Sequence, residues 1–193
     1  MRDNLRRRNG AQSLLITSRG DTALAGKTLA QIATARGVDP VQAAIDILLR
    51  GGPSVASFNM NEADIDKFMV QDFVMTGSDG SGGHPRKFGT YPLKFRKYVV
   101  ERKLISIPFF VSQSAALPAR TFGLKDRGQL SIGYFADIAV FSETEFREQS
   151  TFEQPTRLAT GMKHVLVNGK IAVEDGTYTG VMVGTVLRGP GYR

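Results

Sequence analysis

The chain has no cysteine and only two histidines, His84 and His164, in 193 residues. The first absence excludes disulfides and thiolate zinc sites, and it is compatible with a reducing cytosol. The second limits metal chemistry. A catalytic zinc takes three protein ligands, mostly His, Cys and carboxylate, and keeps one position open for water. Two histidines placed so far apart do not supply that set, and no His-x-His or His-Glu-x-x-His pair occurs. A Gly-x-Ser-x-Gly elbow, a phosphate-binding P-loop and a Gly-x-Gly-x-x-Gly fingerprint are also missing. No apolar run approaches the roughly 18 residues of a membrane span. Residues 1–10 are basic but lack the apolar segment and small-residue cleavage site of a secretory signal.

What is present suits a globular protein. Apolar residues make up 41% of the chain, enough for a core. The net charge of +7 raises nucleic-acid binding as a reading. The basic residues are scattered, however, apart from Arg6-Arg7-Arg8 and residues 94–103, and no Gly/aromatic RNA-binding signature accompanies them. A solvated basic surface is the simpler account.

The first half alternates strand-like and helix-like segments. Leu14-Leu15-Ile16-Thr17 reads as a buried strand. Thr28 caps a helix with Leu29, Ile32 and Ala33 on one face, ended by Gly37. Asp39 and Pro40 open a second helix, whose apolar stripe is Val41, Ala44, Ile45, Leu48 and Leu49. Residues 53–60 read as a strand, and Asn61 caps a helix with Ile65, Phe68 and Met69 on one face. Phe73-Val74-Met75-Thr76 reads as another buried strand, ending at Gly77-Ser78-Asp79-Gly80. Strands separated by helices predict βαβ units and a parallel sheet. Residues 80–92 read as a Gly/Pro-rich loop, 93–103 as a basic helix, and 108–123 as a helix interrupted at Pro118. Near residue 125 the pattern turns to β. Ile138-Ala139-Val140-Phe141 is a strand, residues 142–161 are polar and loop-like, and residues 165–173 form a hairpin on Asn168-Gly169. Further short strands are expected out to Leu187.

Asp79 is the leading candidate for chemistry. A carboxylate just after a short buried strand, in a Gly-rich turn, stands where α/β folds build active sites. The same Ser-Asp-Gly is also ordinary turn chemistry. His84-Pro85-Arg86 presents a donor and a carboxylate-binding guanidinium, or is simply a surface loop. His164, at the start of the hairpin, reads as structural.

Taken together, several segments resemble the amidohydrolase superfamily, and most closely its D-aminoacylase branch. The segments are Met75-Thr76-Gly77-Ser78-Asp79-Gly80 with Gly83-His84-Pro85-Arg86 and Phe88-Gly89-Thr90-Tyr91-Pro92; Leu117-Pro118-Ala119-Arg120 with Phe122-Gly123-Leu124; Asp126-Arg127-Gly128 through Ala136-Asp137-Ile138; and His164-Val165-Leu166-Val167-Asn168-Gly169. Ser57-Phe58-Asn59-Met60 resembles the preceding barrel strand. The resemblance implies an α/β plus β fold. Residues 1–124 would be the last βα units of a (β/α)₈ barrel, and residues 125–193 the C-terminal strands of a small β-sandwich. It also implies a metal-dependent hydrolase of N-acyl-D-amino acids, with dihydroorotase-like ring opening as a related C–N hydrolysis. Asp79 would touch the zinc and relay a proton from water to the leaving nitrogen. Arg86 would pair with the substrate's α-carboxylate, and His84 would shape the loop. The other zinc ligands lie outside this chain, so it is expected to be inactive alone and to need the missing barrel half or a partner chain. A homo-oligomer is open; nucleic acid and membrane are not expected partners. A non-catalytic binding or assembly module derived from such an enzyme is the alternative.

Overall fold

The computed structural model describes residues 1–17, 23–80, 83–189 and 191. Ser81 and Gly82, in the expected Gly-rich loop, lie outside the described residues. The chain divides into two compact units. One comprises Met1–Ile65, Asp79–Phe88 and Ser150–Arg157; the other comprises Asp66–Ser78, Gly89–Gln149 and Leu158–Arg193.

The first unit begins with α1 (Arg2–Arg7), then β1 (Leu14–Ile16), α2 (Leu29–Arg36), α3 (Pro40–Leu49) and β2 (Val55–Ser57). Local chemistry explains the helices. Thr28 accepts from the Gln31 amide while Gln31 reaches back to the Thr28 amide, a reciprocal cap. Gly37 ends α2 with φ 64°, a left-handed conformation that suits glycine. The Asp39 carboxylate accepts from the Val41 amide at 2.9 Å, and Pro40 occupies the first turn, where its missing N–H does no harm. Ala11, Ile16, Leu29, Ile32, Ala33, Ala43 and Ile47 form the core.

Strand pairing and the buried helix faces differ from the expected ones. The strands β1 and β2 pair antiparallel, Leu14 opposite Ser57, and not as a parallel βαβ unit. The buried face of α3 is Ala43 and Ile47, whereas Leu48 and Leu49 are exposed. The α3 sequence is apolar almost all round, so helical spacing admits two neighbouring stripes, and the one carrying the small Ala43 joins the α2 side chains in the core. Helix α4 (Glu62–Met69), capped by Asn61 Oδ1 at 2.8 Å from the Ala63 amide, likewise leaves Phe68 exposed.

Helix α5 (Arg86–Lys94) starts inside the stretch expected to be loop. It contains Pro92, which cannot donate to the helical ladder. A π-helical stretch, Phe95–Glu101, continues it. The expected helix over 108–123 is three pieces: α6 (Ile107–Val111), a π-helical stretch Ser112–Ala116, and α7 (Leu117–Thr121) with Pro118 at its start. Both π-helical stretches lie beside a helix that carries a proline.

In the second unit, the expected strand over residues 73–76 does not form: Phe73 lies in a turn, with the Val74 amide bonded to the Gln71 carbonyl, and residues 74–76 are irregular chain. A lone strand has nowhere to send its backbone bonds. Instead the Thr76 amide donates to the Gln113 carbonyl at 2.9 Å. The antiparallel sheet of this unit runs β3 (Ile138–Phe141), β4 (Met162–Val167), β5 (Lys170–Glu174) and β6 (Thr177–Tyr178) in that order. Asn168 and Gly169 turn the β4–β5 hairpin with φ of 51° and 78°, the two positive values that the turn requires. Beyond Tyr178 the expected strands do not form through residue 189. Arg127 binds Asp137 and Asn168, and its guanidinium lies 4.1 Å from the Phe135 ring centroid, so the Asp126-Arg127-Gly128 motif buttresses this hairpin. Phe95 is fully buried, with the rings of Phe110 and Phe141 both 5.2 Å from it and Phe146 at 5.7 Å. At Gly161 an added Cβ would run into the Glu145 and Phe146 backbone, so this glycine permits a close approach of two segments of the chain.

Candidate active-site loop

Within the first unit, residues 79–88 carry the three residues singled out from the sequence. Asp79 is 88% exposed and takes φ 43°, a conformation that Asp tolerates in turns. Its Oδ2 accepts from Arg86 Nη2 at 2.7 Å. Arg86 opens α5, and its own backbone N–H donates to His84 Nδ1 at 3.1 Å. That bond requires a lone pair on Nδ1, which leaves the proton of the neutral ring on Nε2. Burial pushes the His84 pKa below its usual value, and the Arg86 charge adds to the effect. The three residues thus form one cluster: an ion pair braced by a half-buried neutral imidazole.

Sequence reasoning missed what holds the imidazole. Phe152 meets it edge-on at 5.0 Å, and Phe58 meets Phe152 edge-on at 5.5 Å. Ser150 Oγ donates to the Pro85 carbonyl at 2.9 Å. Ser150 and Phe152 fall in or beside a polar stretch with no helical or strand period, so no pattern pointed to them. An aromatic residue in such a stretch was the one available signal. His164 lies on β4 in the second unit, with Nε2 3.9 Å from Asp175 Oδ1.

The loop residues do not by themselves fit a zinc site. Among the described residues no group of three His, Cys, Asp or Glu is arranged to hold a metal ion. The donors at hand are one carboxylate already paired with Arg86 and one imidazole whose Nδ1 already accepts a backbone proton.

Comparison with known proteins defines the class. The model of the amidohydrolase family matches residues 4–173, and the chain belongs to that family. It is 37% identical over 148 residues to an N-acyl-D-glutamate deacylase of Alcaligenes xylosoxydans xylosoxydans, covering 75% of this chain and 30% of that protein. A solved D-aminoacylase structure, described for its binuclear metal centre, superposes with a TM-score of 0.79 at 32% identity, covering 92% of this chain and 38% of that one. The N-acyl-D-glutamate deacylase of Bordetella bronchiseptica, solved with zinc and a phosphonate inhibitor, gives 0.77 at 31% identity, over 86% and 36%. The chain therefore spans about a third of the length of the relatives it matches. Among the described residues no helix is long and apolar enough to cross a membrane.

Proposed function

We propose that this chain is the C-terminal part of a hydrolase of N-acyl-D-amino acids, cleaving the amide C–N bond only together with the part of the protein it lacks. In this reading residues 1–124 form the last βα units of a (β/α)₈ barrel, and residues 125–193 contribute strands to a small β-sandwich. The observation that carries it is the superposition of 92% of the chain on D-aminoacylase with a TM-score of 0.79 at 32% identity.

Asp79 is the base that takes a proton from the hydrolytic water and returns it to the leaving nitrogen. Arg86 receives the α-carboxylate of the substrate. In the chain as it stands the two neutralise each other at 2.7 Å, so neither role is available until the pair opens. An incoming carboxylate replaces Asp79 on Arg86 and thereby releases the base. An exposed ion pair is weak enough for this exchange. His84, bonded to the Arg86 amide, keeps the loop in shape through the change. Zinc, the metal of the deacylase from Bordetella, belongs to the completed site: the relatives' remaining length must supply its donors, because this loop does not.

Co-expression with the N-terminal two thirds of the Alcaligenes deacylase tests this reading. Hydrolysis of an N-acyl-D-amino acid, absent from either part alone, is the expected result. Titration calorimetry of the isolated chain should show no tight stoichiometric zinc binding. Failure of the mixture to hydrolyse any N-acyl-D-amino acid, with both parts folded and associated, overturns the proposal.

A second reading, a non-catalytic assembly module, is favoured by the exposed apolar side chains Leu49, Met60 and Phe73. It predicts association without hydrolysis in the same experiment.

A further inference from the structure

The second unit contains a buried cation that the proposed chemistry does not use. Lys94 closes α5 and is 6% exposed. Its Nζ donates to Thr76 Oγ1 at 2.8 Å and to Gln113 Oε1 at 2.7 Å, and both acceptors are neutral. A buried ammonium held only by neutral oxygens is costly to keep unless the bonds do something. These bonds gather one stretch of irregular chain. Gln113 Nε2 donates to the Met69 carbonyl at 3.1 Å and the Gln71 carbonyl at 2.9 Å. The Thr76 amide donates to the Gln113 carbonyl at 2.9 Å, and Thr76 Oγ1 lies 3.1 Å from Ser114 Oγ. The Tyr91 hydroxyl, the one titratable group besides Lys94 in this network among the described residues, donates to the Thr76 carbonyl at 3.3 Å.

Both side chains at the centre sit at interruptions of the helical ladder. Lys94 immediately precedes the π-helical stretch Phe95–Glu101, and Gln113 lies inside the stretch Ser112–Ala116. Such stretches re-aim side chains that a regular helix would turn elsewhere.

We infer that Lys94 is a positioning residue: through Thr76 and Gln113 it fixes the chain over residues 69–76, the segment that leads directly into the turn bearing Asp79. The functional meaning of this clamp rests on the hydrolase reading, but its existence does not. Residues 74–76 would otherwise be irregular chain without a partner strand, since no strand among the described residues pairs with residues 73–76.

Amide hydrogen exchange on the full chain, without metal or substrate, tests the clamp. Lys94→Met keeps the length of the side chain and removes its donors. We expect exchange at the Thr76 amide to rise about tenfold or more relative to the Phe110 amide, which bonds within its own helix to Ser106. Thr76→Val, which leaves Lys94 in place, should loosen the same amide selectively, and the double variant should add little. A pH series supplies the readout that a mere core-filling side chain would not move. Protection of Thr76 relative to Phe110 in the native chain should rise as the ammonium loses its proton, because the neutral amine keeps two N–H donors for its two acceptors and no longer bears the cost of a buried charge, and in Lys94→Met this pH dependence should vanish. Unchanged Thr76 exchange in both variants, or acceleration shared equally by all amides, overturns the inference. Either result leaves the hydrolase reading standing, because nothing measured here involves catalysis.

Discussion

The loop over residues 79–86 and the clamp around Lys94 handle charge in opposite ways. Asp79 and Arg86 meet at the surface as full opposite charges, where water screens the attraction and either partner is readily exchanged. Lys94 is buried and, among the described residues, bonded to neutral acceptors, where each bond is strong because little water competes for it. The contrast separates two jobs. Groups that must change partners during a reaction belong where pairing is weak. Groups that must hold backbone still belong where leaving a bond unmade is expensive.

The largest effect that would break this contrast is on activity. In the complemented enzyme, Asp79→Asn should lower kcat/KM by about 10²–10⁴-fold, the range for loss of a general base. The same variant in the isolated chain should leave Tm within about 2 °C of the native value. A large loss of stability would mean that the surface pair is structural after all. Next in size is Phe95→Ala. With three aromatic rings packed against a fully buried side chain, it should cost about 3–5 kcal/mol in denaturant unfolding.

The pH dependence of stability sharpens the comparison. Burial pulls the Lys94 pKa down from 10.5 to about 8. Between those two values the unfolded chain binds the proton and the folded chain does not, so stability rises with pH across this window. The gain should be about 2–3 kcal/mol from pH 8 to pH 10.5, and it is lost as pH falls through 8. In Lys94→Met the rise should disappear. A flat profile in the native chain would show that water reaches the ammonium and that the clamp is loose.

How much of this was legible in the sequence depends on where each signal lies. Helix caps are local chemistry, so Thr28, Asp39 and Asn61 marked the starts of three helices correctly, and Asn168-Gly169 marked the hairpin. The Asp79, His84 and Arg86 cluster was legible as a motif, but the ion pair within it was not, because nothing in Asp-Gly-x-x-Gly-His-Pro-Arg spacing dictates a 2.7 Å contact. The strand over residues 73–76 was misjudged for a physical reason: an apolar run secures neither burial nor pairing, and here Phe73 stays exposed and no neighbouring strand among the described residues takes the backbone bonds. Lys94 stood in a run of basic residues and read as solvated surface. Only the fold, by placing Thr76 and Gln113 against it, shows that it is inside.

The smallest effect concerns His84. Burial and then the Arg86 charge lower its pKa from 6.5, so the unfolded chain takes up a proton before the folded chain does as the solution is acidified. Stability should therefore fall as pH drops below the unfolded value near 6.5, and the loss should level off below the lowered folded value. Protonation also ends the ability of Nδ1 to accept the Arg86 amide, so the loop should loosen over the same range. His84→Gln, which retains an acceptor but does not titrate near neutrality, should remove this acid limb while leaving the alkaline rise from Lys94 intact. Parallel unfolding titrations of the native chain and the variant from pH 5 to pH 7.5 would read it. An unchanged acid limb in the variant would assign it to the carboxylates, and the imidazole would then be only a packing partner for Phe152.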